Sequence, residues 1–256
     1  MPKYAGIVPI DQLQQEPYAS LLCFPKPSEN EVQSRIEELK RHGVTALEFS
    51  GKAHVFGVPV PVLGKGFVGI VVIAHLNWER VAVKIRRIDA DRVDLLHEAD
   101  MLKKANSANA VPNFVAVSKN FLLMQLIEGD LLPFWLETNK EVVVVKQVLR
   151  EVLESCYRLD EIGLDHGELS KAPKHVIVDQ QLKPWIVDFE TASDKRKTAN
   201  LPAICHFLFN SPGETARTIA AIIGVRDNQK IIAALHTYKR NRSRETMDEV
   251  LRSCLS

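Results

Sequence analysis

A glycine-rich loop leads directly into a run of β-branched residues, and this junction restricts the fold more than any other feature of the chain. The loop Gly64–Gly69 has the pattern GxGxxG, and Ile70–Ala74 follows it as IVVIA. In dinucleotide-binding folds the same glycine pattern opens a helix, and an acidic residue follows about twenty positions later. A β-branched run favours a strand instead. We therefore predict that the loop joins two antiparallel strands, where glycines let backbone N–H groups approach an anion closely.

Short apolar strands with tight turns continue on both sides of this loop. The predicted strands are Val58–Leu63, Ile70–Leu76, Val81–Ile85, Phe114–Val117 and Phe121–Leu126. After the third strand, apolar residues at helical spacing predict a helix over Asp91–Lys104. Residues 56–128 are therefore predicted to form a lobe with a five-stranded antiparallel sheet and one helix.

The two flanking segments differ from this lobe. Residues 1–55 are predicted to form an N-terminal extension, with a helix that Ser28 and Glu31 cap and a strand over Val44–Phe49. We expect this extension to pack on the β-rich lobe. Residues 129–256 are predicted to be mainly helical, with a long helix over Lys140–Ile162 and a short hairpin near Val176. The predicted fold is therefore α+β, with a β-rich lobe, a hinge and a helical lobe.

The composition is that of an ordinary globular protein. The chain is 46% hydrophobic and 25% charged, and its net charge of +1 argues against a protein that coats nucleic acid. Its four cysteines are far apart and show no metal-binding spacing, which indicates reduced thiols in a cytoplasmic protein. No leader sequence is visible, and the longest apolar runs are too short to span a membrane.

Two charged residues are predicted to form a buried pair. Lys84 ends the apolar strand Val81-Ala82-Val83-Lys84, and a lone buried ammonium is costly. Glu98 lies fourteen residues later on the predicted helix, where it can turn inward to meet the ammonium. The alternative is a lysine at a strand edge in contact with solvent.

The second half of the chain carries a loop rich in titratable groups. His166 and Glu168 precede His175, and Asp188-Phe189-Glu190 ends a short apolar strand. A carboxylate at a strand end is well placed to hold Mg²⁺ together with phosphate oxygens. The plain alternative for Asp188 is an acid in a strand-end turn.

Taken in order, these motifs resemble the protein-kinase superfamily over about half of the chain, from Leu63 to Glu190. The chain looks most like small atypical members, the RIO kinases, the kinase of the KEOPS complex and related archaeal Ser/Thr kinases. The resemblance implies an ATP- and Mg²⁺-dependent kinase that phosphorylates protein hydroxyls. Its activation segment would be short, because no Ala-Pro-Glu motif follows Glu190.

The resemblance also assigns roles to individual residues. Lys84 and Glu98 would orient the phosphates, Asp188 would hold the metal ion, and Glu168 would orient the attacking hydroxyl. The residues that would contact the nucleotide are Gly64, Gly66, Gly69, Val71, Ala82, Lys84, Glu98, Met124, Gln125 and Ile127. Among these, Met124 would lie behind the adenine, and backbone groups of Gln125–Ile127 would bind its edge.

Three positions depart from the family pattern. Glu190 replaces the glycine that follows Asp188-Phe189 in the family, and its carboxylate could add metal affinity. Glu168 stands where the catalytic Asp belongs, and His175 stands where a metal-binding Asn belongs. Neutral His is a poor Mg²⁺ ligand, although we retain His175 as a metal-ligand candidate. Asp165 is an alternative base, and Lys171 or Lys174 could reach the γ-phosphate. A nucleotide-binding pseudokinase or ATPase switch is therefore the alternative function, and a small-molecule phosphotransferase ranks third.

A basic run, Lys239–Arg244, lies near the C-terminus. Isolated charge clusters usually form solvated turns, and no aromatic residues alternate with these to stack on bases. A docking patch for RNA or a ribonucleoprotein is the functional alternative. A protein substrate is the expected partner, and the sequence does not predict an oligomeric state.

Overall fold

The structure is a computed structural model that describes residues 4–256, so the first three residues of the predicted N-terminal extension lie outside the described part. Contacts within the chain define two compact units. Unit 1 comprises the described residues up to Asp100 together with Asn113–Leu126, and unit 2 comprises Met101–Pro112 and Ile127–Ser256. The predicted combination of antiparallel sheet with helices is confirmed, since both units contain both kinds of element.

Unit 1 is built around a run of antiparallel strands. Its elements, in chain order, are β1 (Gly6–Pro9), α1 (Tyr18–Leu22), α2 (Glu29–Arg41), β2 (Val44–Phe49), β3 (Ala53–Val55), β4 (Val58–Val62), β5 (Gly64–Lys65), β6 (Gly69–Leu76), β7 (Glu79–Arg86), the start of α3 (Leu96–Ala105), β8 (Phe114–Val117) and β9 (Phe121–Gln125).

The main sheet of unit 1 has seven strands among the described residues, where the sequence predicted five. Its order is β1-β2-β6-β7-β9-β8, and β5 pairs with β6. The N-terminal strands β1 and β2 join the sheet because β2 pairs with β6 from Val44 to Glu48. The predicted strand at Val58–Leu63 is present as β4, but it pairs with β3 in a separate two-stranded sheet. The pairing of β2 with β6 joins residues that are far apart in sequence, so it leaves no trace in local periodicity.

A buried arginine fastens α2 to the sheet. Arg35 is fully buried, and its guanidinium donates to the carbonyl of Leu22 at 2.8 Å and to that of Arg86 at 2.5 Å. It also donates to the side chain of Asn120, whose own N–H groups donate to the carboxylate of Glu38. Because a buried charge is tolerated only when it is paired and hydrogen-bonded, this network holds α2 in one position.

The helix that carries Glu98 begins later than predicted. The observed helix α3 starts at Leu96, five positions after the predicted start at Asp91. The side chain of Asp94 accepts a hydrogen bond from the backbone N–H of Leu96 at 3.0 Å. Such a bond satisfies a donor that a helix start leaves unpaired, and it competes with helix further upstream. Glu98 therefore lies in the first turn of the helix.

Unit 2 is mainly helical. Besides the end of α3, its elements are β10 (Gly129–Leu131), α4 (Leu132–Thr138), α5 (Val142–Glu161), β11 (Val176–Asp179), β12 (Pro184–Ile186), α6 (Asn200–Cys205), α7 (Glu214–Ile223), α8 (Asn228–Arg240) and α9 (Arg244–Leu255). The apolar face of α5 is buried, and it includes Val145, Val148, Leu149, Val152, Cys156 and Leu159, as its helical spacing predicted.

The predicted hairpin in unit 2 has a third strand. β11 pairs with β12 as expected, and β10 pairs with β11 on its other side. A side-chain Cβ at Gly129 would lie 2.2 Å from the carbonyl oxygen of Val178, so only glycine permits this approach. From the sequence we placed the boundary between the two lobes at Gly129, because a glycine needed for close packing looks like one needed for a turn. No helix in the described part of the chain is long and apolar enough to cross a membrane.

Candidate functional site

The predicted pair of Lys84 and Glu98 is present in unit 1. The Lys84 ammonium lies 2.8 Å from Glu98 Oε2, and the two residues are 4% and 5% exposed. Lys84 projects from β7, between its sheet partners Val71 and Leu122. The ion pair therefore lies at the surface of a rigid sheet, which fixes the direction of the ammonium.

The glycine loop forms a tight hairpin next to this lysine. Gly66 N–H donates to the Gly69 carbonyl at 2.8 Å, and β5 continues the pairing outward from Gly64. A Cβ on Gly69 would lie 2.8 Å from Lys84 Cγ and 3.0 Å from Lys84 Cε. The third glycine is therefore needed because the lysine side chain crosses its backbone. A Cβ on Gly64 would meet nothing within 4 Å.

The remaining nucleotide candidates of unit 1 lie on neighbouring strands. Ala82 on β7 pairs with Met124 on β9, and Val71 on β6 faces Lys84. The backbone N–H of Gln125 donates to the carbonyl of Asn113 at 2.8 Å. This donor is already used within unit 1, which the sequence did not indicate. Ile127 begins unit 2, and its predicted nucleotide contact stays a prediction.

In unit 2 the loop after α5 is held by buried side chains. His166 is fully buried, and its Nε2 contacts the Val187 carbonyl at 3.0 Å, which makes Nε2 the protonated nitrogen. Burial lowers the pKa of His166 to about 4, so this imidazole is neutral near pH 7. Its ring packs against Phe189, with centroids 5.0 Å apart. His166 therefore links the loop to the segment around Asp188 through its contacts with Val187 and Phe189.

Asn200, which sequence reasoning missed, ties this loop to two helices. Its Oδ1 accepts the backbone N–H of His166 at 2.8 Å, and its Nδ2 donates to Asp160 and to the Leu164 carbonyl. Asp160 lies in the last turn of α5 and also accepts a hydrogen bond from the hydroxyl of Tyr238. A single Asn at the start of a short helix carries no recognisable motif, so only the structure could identify it.

Asp165, the alternative base, has structural partners instead. Its carboxylate accepts from Arg196 Nε at 2.6 Å and from the backbone N–H of Ala199 at 2.9 Å, and it is 7% exposed. These bonds secure the segment that follows Asp188. Lys171 and Lys174 are exposed.

Glu168, His175 and Asp188 come together in unit 2. His175 Nε2 lies 3.3 Å from Glu168 Oε2 and 3.8 Å from Asp188 Oδ2. The histidine side chain is 2% exposed, whereas those of Glu168 and Asp188 are 42% and 28% exposed. Two partly solvated carboxylates thus flank one buried imidazole nitrogen, and all three ligand atoms lie within 4.8 Å of one another.

The backbone at Asp188 has the left-handed conformation, with φ of 71°. Asp tolerates this region better than most residues, although it still costs free energy. Phe189, the next residue, is buried. The buried ring anchors the segment while the carboxylate before it stays partly exposed, an arrangement typical of a functional carboxylate.

The donor set only partly suits Mg²⁺. The carboxylates of Asp188 and Glu168 are the oxygen ligands that Mg²⁺ prefers. The nitrogen of His175 is not, since Mg²⁺ is bound mainly by oxygen. We therefore derive no chemical step through Mg²⁺ at His175.

Half of the basic run near the C-terminus has intramolecular partners. Arg242 donates to the hydroxyl and the carbonyl of Thr198. Arg244, the first residue of α9, makes two hydrogen bonds of 2.7 Å to Glu154 on α5. These contacts account for two of the four basic residues by packing within unit 2. The interaction with RNA stays a prediction.

Comparison with known proteins supports the order of motifs. A family model described as the RIO domain matches residues 74–202, about half of the chain. An uncharacterized protein of Methanocaldococcus jannaschii, MJ1211, is 28% identical over 96 residues, which cover 38% of this chain and 79% of that protein. The matched RIO region contains the Lys84–Glu98 pair and the Glu168, His175 and Asp188 cluster. The chain therefore belongs to the RIO family of atypical protein-kinase-like proteins.

Proposed function

We propose that this protein is an ATP-dependent atypical serine/threonine kinase that transfers the γ-phosphate of ATP to a protein hydroxyl. The observation that carries the proposal is the buried Lys84–Glu98 ion pair beside Gly69. A sheet lysine held by a helix glutamate is the arrangement with which kinases position the α- and β-phosphates. The RIO family generally uses ATP with Mg²⁺, and its members are atypical kinases.

Unit 1 supplies groups suited to phosphate binding. The ammonium of Lys84 is fixed by Glu98, so little reorganisation is needed when an anion arrives. The glycine hairpin offers backbone without side chains at Gly64 and at Gly66. Val71, Ala82 and Met124 present apolar or small surfaces on the adjoining strands.

Unit 2 supplies the groups suited to transfer. Glu168 is the candidate for accepting the proton of the attacking hydroxyl, because its side chain is 42% exposed while Asp165 is engaged with Arg196. The hydroxyl oxygen forms a bond to the γ-phosphorus as the bond from that phosphorus to the oxygen of ADP breaks. ADP then carries the released electron pair, and the proton stays on Glu168 until solvent removes it. Asp188 is the carboxylate suited to hold the Mg²⁺ that accompanies ATP.

Transfer and binding can be tested separately. The full chain is incubated with Mg²⁺ and γ-labelled ATP, with and without a general acceptor protein, and ATP binding is measured by calorimetry. Lys84→Met and Asp188→Ala should each lower transfer by about 100-fold or more, because each removes a preorganised charge. The matched controls Lys230→Met and Asp91→Ala change exposed residues and should leave transfer unchanged.

One observation favours a second function, a nucleotide-binding pseudokinase. The carboxylate of Glu168 lies 3.3 Å from His175, so it can be held in an ion pair and not offered to a hydroxyl. Tight ATP binding that depends on Lys84, with no label transfer and no hydrolysis, would reject the kinase proposal and support this alternative. Transfer that survives Asp188→Ala would reject the metal role of Asp188.

A further inference from the structure

Glu168, His175 and Asp188, called here the triad, have the geometry of a three-ligand ion site. Each comes from a different stretch of unit 2: the loop after α5, the residue before β11, and the turn after β12. Ligand atoms that share one divalent ion at about 2.1 Å lie about 3–4 Å from each other. The separations of 3.3 Å and 3.8 Å from His175 Nε2 fall in this range. All three ligand atoms lie within 4.8 Å of one another, so one ion could contact all three side chains.

The chemistry of the triad selects the kind of ion. It offers one imidazole nitrogen and two carboxylate oxygens, and imidazole suits zinc and related first-row ions better than Mg²⁺. We propose that the triad binds a divalent first-row transition ion with affinity for imidazole, such as Zn²⁺ or Co²⁺, more tightly than it binds Mg²⁺. Three protein ligands leave further positions for water or for phosphate oxygens, as in catalytic zinc sites.

The burial of the triad adds to the argument. His175 is held with its side chain 2% exposed, so its ring is confined by the surrounding core and is not a surface histidine that meets ions by chance. The two carboxylates are partly exposed, which leaves a path for an ion from solvent. The negative charge of the two carboxylates also attracts a divalent cation to the triad.

The rival explanation is an ion pair between Glu168 and a protonated His175. It would produce the same 3.3 Å contact with no ion present. The two explanations differ in how ion affinity responds to the nitrogen. Only a metal ligand makes the preference for transition ions depend on His175.

The test titrates the metal-stripped full chain, without nucleotide, with Co²⁺ followed by visible absorption. Competition with Mg²⁺ gives the preference. The wild type should bind Co²⁺ about tenfold or more tightly than Mg²⁺. The His175→Asn variant offers an oxygen in place of the nitrogen. It should lose about tenfold or more in Co²⁺ affinity and keep its Mg²⁺ affinity.

Two further variants keep the test decisive. His236→Asn makes the same change at an exposed position on α8 and should bind Co²⁺ like the wild type. His175→Gln also replaces the nitrogen by an amide oxygen and should lose Co²⁺ affinity in the same way, and it serves in place of His175→Asn if that variant fails to fold by circular dichroism. Equal affinity of the wild type for Co²⁺ and Mg²⁺, an unchanged His175→Asn variant, or an equal loss in His236→Asn would each overturn the proposal.

The ion site deepens the proposed function, and any role for the ion in holding ATP rests on that function. The experiment distinguishes failure of the ion site from failure of the kinase proposal. The titration contains no nucleotide, so ion binding without phosphoryl transfer supports the triad and rejects the kinase. Transfer with Mg²⁺ in a protein that shows no transition-ion preference does the reverse.

Discussion

At the residue scale, unit 1 contains a buried cation that a single carboxylate makes tolerable. Lys84 and Glu98 are each at most 5% exposed, so the desolvation of both charges must be offset by their contact and by other polar neighbours. Such a pair adds little to the free energy of unfolding, but it fixes the position of the Lys84 ammonium. Its value to the protein is that the ammonium can point in only one direction.

Removing one member of this pair should therefore cost more than removing both. Glu98→Gln leaves the Lys84 charge buried without its carboxylate, and we expect a loss of about 3 kcal/mol in the free energy of unfolding. The double variant Glu98→Gln with Lys84→Met should be more stable than Glu98→Gln alone. Urea unfolding of the wild type, both single variants and the double variant measures this coupling. Additive losses would show that the two residues do not interact.

The buried His166 should make stability depend on pH. Its pKa is about 4 in the folded protein because of burial, compared with about 6.5 in an exposed histidine. Between these values the unfolded chain binds a proton that the folded chain does not, so stability rises with pH. The contribution is complete above pH about 6.5 and is lost as the pH falls toward 4.

Urea unfolding at intervals between pH 4 and 7.5 measures this dependence. The free energy of unfolding of the His166→Gln variant should depend less on pH in the same window, because the variant lacks the buried imidazole. The exposed His236→Gln variant should keep the slope of the wild type. Equal slopes in the wild type and in His166→Gln would contradict the assignment of the effect to His166.

At the element scale, the hairpin of β5 and β6 and the strand β7 have to fit one another closely. The lysine stem of β7 lies over the backbone of Gly69, the first residue of β6. The identity of the third glycine therefore follows from packing between two strands and not only from the shape of the loop. The glycine pattern predicted a loop, but it did not predict which glycine the lysine requires.

Gly69→Ala should displace Lys84 and weaken ATP binding. The new Cβ would lie 2.8 Å from Lys84 Cγ and 3.0 Å from the Ile85 carbonyl oxygen, and the backbone cannot give way easily. We expect ATP affinity to fall by about tenfold or more, with a loss of about 1–3 kcal/mol in unfolding free energy. Calorimetry and urea unfolding measure the two effects.

The matched variant for stability is Gly64→Ala in the same hairpin, where a Cβ meets open space. Its free energy of unfolding should change by less than about 0.5 kcal/mol. A Gly69→Ala protein as stable as the Gly64→Ala protein would show that the hairpin can move away from Lys84.

At the scale of the whole molecule, the N-terminal residues belong to the architecture of unit 1. Strand β2 pairs along β6, and Arg35 on α2 donates to the backbone of Arg86 and to Asn120. Removing residues 1–50 would expose the edge of β6 and take the guanidinium donor away from the Arg86 carbonyl. The buried groups would have to find water, so the remaining sheet would lose its packed form.

We therefore expect a chain of residues 51–256 to lack a folded unit 1. Near-ultraviolet circular dichroism, binding of a hydrophobic dye and ATP calorimetry should show lost packing and lost nucleotide binding. Arg35→Ala in the full chain is the smaller test and should cost about 3 kcal/mol, because the buried carbonyls of Leu22 and Arg86 lose this charged donor. A truncated chain that unfolds cooperatively and still binds ATP would contradict this prediction.

Local sequence patterns determined several elements of the fold, the family and one contact of the candidate site. The β-branched run after the glycine loop predicted a strand, the apolar spacing of α5 predicted its buried face, and Ser28 predicted the start of α2, where its side chain accepts the N–H of Glu31. The order of motifs also predicted the family and the contact between Lys84 and Glu98. These inferences succeed because helix and strand periods, caps and short motifs act over a few residues and are written in neighbouring positions.

Only the tertiary structure decided which distant residues meet. Arg35 and Asn120 are 85 positions apart, and the pairing of β2 with β6, the use of the Gln125 N–H by Asn113 and the role of Asn200 have no local signal. The approach of Glu168, His175 and Asp188 is of the same kind, since the sequence predicted each as a candidate but not their shared geometry. Such contacts depend on strand register and on the path of the chain, which burial and hydrogen-bond satisfaction select over the whole molecule.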